Sequence, residues 1–287
     1  VPSKRRRLSA FVKILLALSL VCGALVGGAY YVLTTVEPVE TAEPPEPGCR
    51  LDLAQGEYEL EPAQARNAAT VSGVAFGHDL PGSAVTVAFA TVWQESTFYN
   101  LEFGDRDSLG LFQQRPSQEW GEPEEILDPV YASTAFYTAL AEVEGWESLP
   151  VFEAAQAVQR SADGYAYDQH ELLSADMAEA FTGTLGPAMT CWYVPETVEA
   201  VRAADADPEG AREEMARVFG IAPESLPLEE DPRTGDTGWA MALWAVAHAE
   251  EYGLTSVAYQ GRQWRISDGT EDAEAWSTAD PGGLVLE

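Results

Sequence analysis

The sequence predicts a mainly α protein with an N-terminal transmembrane helix, an α-helical domain and a small α+β C-terminal region. Three observations carry this. Ile14–Leu33 is a run of 20 uncharged, mostly apolar residues. Between about residues 62 and 180, apolar side chains recur at helical spacing behind proline, serine and aspartate start signals. Past residue 250 two short strand patterns flank a Gln260-Gly261 turn. The expected boundaries are a basic tail and anchor over 1–36, a linker over 37–48, the helical domain over 49–192 and the α+β region over 193–287.

Residues 1–36 hold five basic side chains (Lys4, Arg5, Arg6, Arg7 and Lys13) and no acid. At about 1.5 Å per residue, Ile14–Leu33 would cross a hydrocarbon core of roughly 30 Å. The basic cluster would stay cytoplasmic, leaving everything after Leu33 extracytoplasmic on a single-pass protein of the cell membrane. A cleaved signal peptide is the alternative, since Gly27-Gly28-Ala29 offers small residues to a peptidase. Against it, the apolar run continues through Tyr30-Tyr31-Val32-Leu33. The linker stretch Glu37–Pro47 is acidic and proline-rich, hence extended and stiff. All 47 Asp and Glu lie beyond residue 36, against 11 Arg and no Lys. A body that acidic repels phosphate backbones, which excludes DNA and RNA as partners.

Pro62 opens a helix running through Val71. Pro81-Gly82-Ser83 opens the next, with Ser83 as its N-cap. Val85, Ala88, Phe89 and Val92 form its buried stripe, and Glu95 borders that stripe three residues after Val92. A carboxyl pressed on apolar surface has its charged form disfavoured and its pKa raised, the state from which a Glu protonates a leaving oxygen. A solvated Glu at a helix end, beside Ser96, is the plainer alternative. The following loop carries Asp105 and Asp107 around Arg106, either as turn-stabilising residues or as a second catalytic carboxylate. Gly110-Leu111-Phe112-Gln113 then closes it. Asp128 and Pro129 cap and start another helix with Tyr131, Ala135, Phe136, Tyr137 and Leu140 on its apolar face. A further helix from Pro150 to about Arg160 packs Val151, Ala155 and Val158.

Beyond residue 193, Pro195 and Pro208 start two short polar helices, and an acid- and proline-rich stretch spans Ala222–Pro232. Trp239, Leu243, Val246 and Ala247 mark an amphipathic helix, followed by the hairpin Thr255–Tyr259 and Arg262–Ile266. Cys49 and Cys191 are the cysteines outside the membrane run, and an even pair in an oxidising compartment reads as a disulfide around the whole helical domain. No cluster has metal-ligand spacing, so no metal or cofactor is expected. His78, His170 and His248 are far apart and are expected to be surface or packing residues.

Glu95-Ser96, with Tyr99 and Asn100 soon after and Gly110–Gln113 ending 18 positions beyond Glu95, resembles the active-site segment of soluble lytic transglycosylases and goose-type lysozymes. Leu127-Asp128-Pro129 followed by an aromatic pair is again similar to that pattern, and the resemblance covers roughly residues 62–180. It implies a lysozyme-like domain, peptidoglycan glycan strands as the partner and substrate, and Glu95 as general acid and base. It also implies that Ser96, Gly110, Leu111, Phe112, Gln113, Gln159 and Tyr165 surround the sugar; Trp93, Tyr99 and Phe112 are candidate cleft walls or ordinary core aromatics, with core the expectation for Trp93. Family members carry an Ala-Tyr-Asn-Ala-Gly motif whose Tyr helps hold the catalytic Glu. This chain has Ala157-Val158-Gln159-Arg160-Ser161 instead, so Gln159 stands for the Asn, and Tyr165 or Tyr167 is left to supply the phenol. The C-terminal helix and hairpin are similar to part of the small domain of D-Ala-D-Ala-type carboxypeptidases, but His248 alone cannot hold their zinc, and a wall-binding or structural role follows. Two functions stay open. One is membrane-tethered cleavage of peptidoglycan, favoured by Glu-Ser and Gly-Leu-Phe-Gln. The other is a non-catalytic wall-binding or scaffold role, favoured by the missing Ala-Tyr-Asn.

Overall fold

A computed structural model describes residues 10–35, 46–160, 164–226, 233–267, 276–280 and 282–287. The Lys4–Arg7 cluster, most of the 37–48 linker and part of Ala222–Pro232 lie outside these. The first element, α1 (Ala10–Thr35), is a 26-residue helix that exposes Ile14, Leu18, Leu20, Leu25 and Val26. Side chains at 10, 11, 16, 29 and 32–35 are not described, and within the described residues no helix is long and apolar enough to cross a membrane.

Residues 45–287 form one compact unit. It begins with a hairpin that was not expected, β1 (Gly48–Leu53) and β2 (Gly56–Leu60), turned at Ala54-Gln55. Next come α2 (Pro62–Gly77) and α3 (Gly82–Ser96). Pro62 starts α2 as expected, and a capping box closes its first turn: Gln64 Oε1 accepts the Glu61 N–H at 2.9 Å. In α3 the cap falls on extended Pro81 rather than on Ser83, which lies inside the first turn. Short α4 (Pro123–Ile126) leads to α5 (Pro129–Ala141), where Asp128 Oδ1 accepts the Val130 N–H at 3.0 Å. After α6 (Val151–Gln159) a 3-10 turn (Gly164–His170) enters α7 (Glu171–Phe181). Strand β3 (Met189–Trp192) returns to β1 and completes an antiparallel sheet of order β2-β1-β3. In that register Cys49 faces Cys191, and the two are disulfide-bonded.

The remainder comprises α8 (Pro195–Ala203), α9 (Pro208–Phe219) and α10 (Thr237–Ala247). A second sheet follows, with β4 (Ser256–Tyr259), β5 (Arg262–Arg265), β6 (Ser277–Thr278) and β7 (Val285–Leu286) in the order β6-β5-β4-β7. The described residues are thus mostly helical, with two small antiparallel sheets. The hydrophobic core runs continuously across residue 193. Helix α2 packs against α3 and α5 and equally against α9 and α10. Gly73 makes the α2–α9 approach possible, since a Cβ there would lie 2.5 Å from Val218 Cγ1. His248, at the end of α10, stacks on Trp244 with ring centroids 3.9 Å apart, and burial pushes its pKa down to about 3. It is a neutral packing residue.

Candidate active site

The local geometry around Glu95 starts with the way α3 stops. Val85, Ala88, Phe89 and Val92 are all buried, so the stripe faces the core and carries Glu95 to its edge. Thr97 and Phe98 then take φ of 50° and 61°. Two consecutive left-handed residues with side chains cost about 1–2 kcal/mol each, and the surroundings hold them there. The Phe98 ring is buried edge-on against Phe89 and Trp93. From α2, Gln64 Nε2 donates to Thr97 O at 2.9 Å and Asn67 Nδ2 donates to Phe98 O at 2.8 Å. Neither Gln64 nor Asn67 carries a local sequence signal for this role, and the one Gln64 amide also closes the capping box of α2.

Glu95 is half-buried. Tyr167 donates its hydroxyl to Glu95 Oε1 at 2.7 Å, and Gln159 also hydrogen-bonds the carboxyl. Burial raises the Glu95 pKa, and these two hydrogen bonds pull it back only in part. The outcome is a carboxyl shifted toward its protonated form and fixed in orientation. Both partners come from well downstream: Gln159 ends α6, and Tyr167 sits in the 3-10 turn before α7, itself almost fully buried. Of the two tyrosines considered, Tyr167 is the one at the carboxyl. Tyr165 is 75 % exposed and stacks on Phe152, with centroids 5.1 Å apart.

The Gly110–Gln113 turn lies against the end of α3. Leu109 N–H donates to Gln114 O at 2.9 Å and closes it. Gly110 needs to be glycine: its φ is +76°, and a Cβ would sit 2.7 Å from Ile126 O. Ser96 Oγ donates to Leu111 O at 2.7 Å, and Gln159 Nε2 donates to Phe112 O at 2.8 Å. Gln159 therefore couples the turn to Glu95. The side chains of Leu111 and Phe112 point inward and are fully buried, with Phe112 stacked on Phe136 at 4.5 Å. Their part in the site is through backbone carbonyls, not as walls for a sugar, and the Ser96 hydroxyl is likewise engaged by the turn. Gln113 Nε2 donates to Gly110 O at 3.2 Å and, at 3.4 Å, to Phe103 O, leaving its side chain on the outer side of the turn. Trp93 packs edge-on against Tyr58 and Phe98.

Asp107 accepts from the Ser117 N–H at 2.9 Å and from Arg115 Nε at 2.8 Å. Hydrogen bonds from Ser117, then Arg115, hold it well below the usual carboxylate range. It works as the tie of the loop. The Asp105 side chain is 94 % exposed beside Arg106. Neither aspartate is among the groups that perturb Glu95. No family model and no curated protein matches this chain.

Proposed function

We propose that this chain cleaves the glycan strands of peptidoglycan, with Glu95 as the group that protonates the glycosidic oxygen and then takes a proton back. The observation that carries the reading is the Glu95 carboxyl, half-buried, raised in pKa and held by Tyr167 and Gln159 beside the Gly110–Gln113 turn. A glycosidase acid needs this combination of proton affinity and fixed direction. The Tyr167 phenol supplies what the missing Ala-Tyr-Asn motif would have supplied. An inverting hydrolase would also need a carboxylate about 6.5–9.5 Å across to activate water. Asp107 is already spent on Arg115 and Ser117, which supports the lytic-transglycosylase version, in which the muramyl 6-hydroxyl attacks internally. The Cys49–Cys191 bridge fits an oxidising, extracytoplasmic compartment.

Digestion of purified peptidoglycan with the full chain, read by muropeptide mass, tests this. The expected products are 1,6-anhydro sugars. Products with reducing ends would make it a hydrolase, and binding without release of soluble fragments would leave only the scaffold role. A second expectation concerns Tyr167→Phe. The Tyr167 hydrogen bond lowers the Glu95 pKa, so removing it raises that pKa further and keeps the acid protonated to higher pH. The alkaline limb of the pH–rate profile should move upward, while the peak rate falls about tenfold, the rate equivalent of one lost hydrogen bond of about 1.4 kcal/mol. An unmoved alkaline limb would detach Tyr167 from the chemistry.

A further inference from the structure

Gln159 has a second surface. Together with Arg160 it forms one end of a groove of about 850 Å³, whose other walls include Trp120, Glu119 and Glu142. Past Trp120 and the two glutamates the surface continues into a depression of about 350 Å³ flanked by Tyr131 and Thr138. Gln159 also hydrogen-bonds Glu95, so the groove and the candidate acid share this residue, although Glu95 itself does not line the groove. Its charged lining is one cation, Arg160, and two carboxylates, Glu119 and Glu142, which also line the adjoining depression.

Arg160 is unlike the other arginines of the unit. Arg50, Arg66, Arg106, Arg115, Arg212, Arg217 and Arg233 all form ion pairs, as expected in a chain of net charge −31. Arg202, Arg262 and Arg265 donate to carbonyl or amide oxygens. Among the described residues Arg160 has neither kind of partner, although it is exposed and lines the groove. Its backbone takes the left-handed cap position of α6, with φ 52° and ψ 34°. That position ordinarily favours Gly or Asn. An exposed guanidinium there, with no partner among the described residues, is suited to a carboxylate arriving from outside.

We infer that this groove is a subsite for the peptide stem of peptidoglycan, a short zwitterionic peptide whose carboxylate meets Arg160 and whose free ammonium meets Glu119 and Glu142. The inference rests on the peptidoglycan reading above and adds to it a preference for peptide-substituted over naked glycan. A volume of about 850 Å³ suits a tetrapeptide-sized ligand. The stem branches from the lactyl ether of the muramyl sugar, so a sugar placed at Glu95 delivers its peptide to the Gln159 end.

Calorimetric titration of the full chain with a synthetic muramyl tetrapeptide carrying a free side-chain amine tests this, with uncharged chitotetraose in parallel. Arg160→Gln should weaken muramyl-tetrapeptide binding by at least about tenfold, and Arg160→Lys should recover part of it. Acetylating the peptide amine should weaken binding to wild type and not to Glu142→Gln combined with Glu119→Gln. Chitotetraose binding should be the same in all variants. Equal binding of the muramyl tetrapeptide by wild type and Arg160→Gln, or an equal loss for chitotetraose, would overturn the inference, as would a wild type that does not bind the muramyl tetrapeptide. Because binding is read without turnover, a chain that binds the peptide through Arg160 yet releases no fragments from peptidoglycan would keep this subsite and remove the catalytic reading.

Discussion

Glu95→Gln should lower glycan cleavage by at least ~10²–10⁴, the contribution expected of a positioned general acid. The substitution keeps the shape of the side chain and a carbonyl for the Tyr167 hydroxyl, so the loss reports the transferable proton. The same variant should melt at a higher temperature than wild type near pH 7. The folded-state pKa of Glu95 is raised above its unfolded value, chiefly by burial. Below the unfolded value both states hold the proton, and Glu95 costs nothing. As pH rises through the folded-state value, the unfolded chain gains by ionising first, and that part of the stability is lost. Gln carries no such cost. Thermal melts of the two proteins should therefore converge near pH 4 and separate at pH 7, with the inactive variant the more stable. Equal melting at both pH values would mean that Glu95 is better solvated than its position indicates. Asp105→Asn, on an exposed side chain, should leave the rate unchanged. A loss approaching that of Glu95→Gln would instead make Asp105 a general base and call for products with reducing ends.

Replacing both Cys49 and Cys191 with Ala should cost about 3–5 kcal/mol, by the chain-entropy argument for a bridge that closes a long loop. The two residues are 142 apart in sequence and sit opposite each other in the β1–β3 ladder. The bridge therefore ties the first strand of the compact unit to the strand that follows all of the helices around Glu95. For a unit of this size the melting temperature should fall by roughly 10 °C. Reductant should move the wild type to the same place and leave the double variant where it is. At 25 °C the double variant should still cleave, because neither Gln159 nor Tyr167, the hydrogen-bond partners of Glu95, lies on β1 or β3. A shift of less than about 2 °C would mean that the ladder and the core hold the strands together without the bridge.

How legible each feature was depended on how local its cause is. Proline marks the starts of α2, α5, α8 and α9 in the sequence, and the structure begins those helices at Pro62, Pro129, Pro195 and Pro208. A ring that fixes φ and lacks an N–H acts within one turn, whatever lies around it. The hairpin at Gln260-Gly261 was legible for the same reason, and the helical stripe ending at Glu95 needed only the 3.6-residue period. The β1–β2 hairpin carries the alternation of a strand pair, Leu51 and Leu53 then Tyr58 and Leu60, but its turn residues Ala54 and Gln55 are not turn-favouring, so the strands were not joined into a hairpin. The start of α3 moved from Ser83 to Pro81 because the serine falls within the first turn.

By itself the sequence determined the helical elements other than α4 and α7, the cysteine pair and the place of Glu95 at the edge of an apolar stripe, since each follows from short-range chain geometry or from counting. Only the tertiary structure decided what Glu95 touches. Tyr167 lies 72 residues further along, and its selection over Tyr165 depends on how the 3-10 turn before α7 lies across α3. The inward rotation of Leu111 and Phe112 follows from packing against α5, and the commitment of Asp107 follows from the path that brings Arg115 and Ser117 back to it. A hydrogen bond or a stacked ring needs atoms a few ångströms apart, and for residues distant in sequence only the packing of whole elements sets such distances.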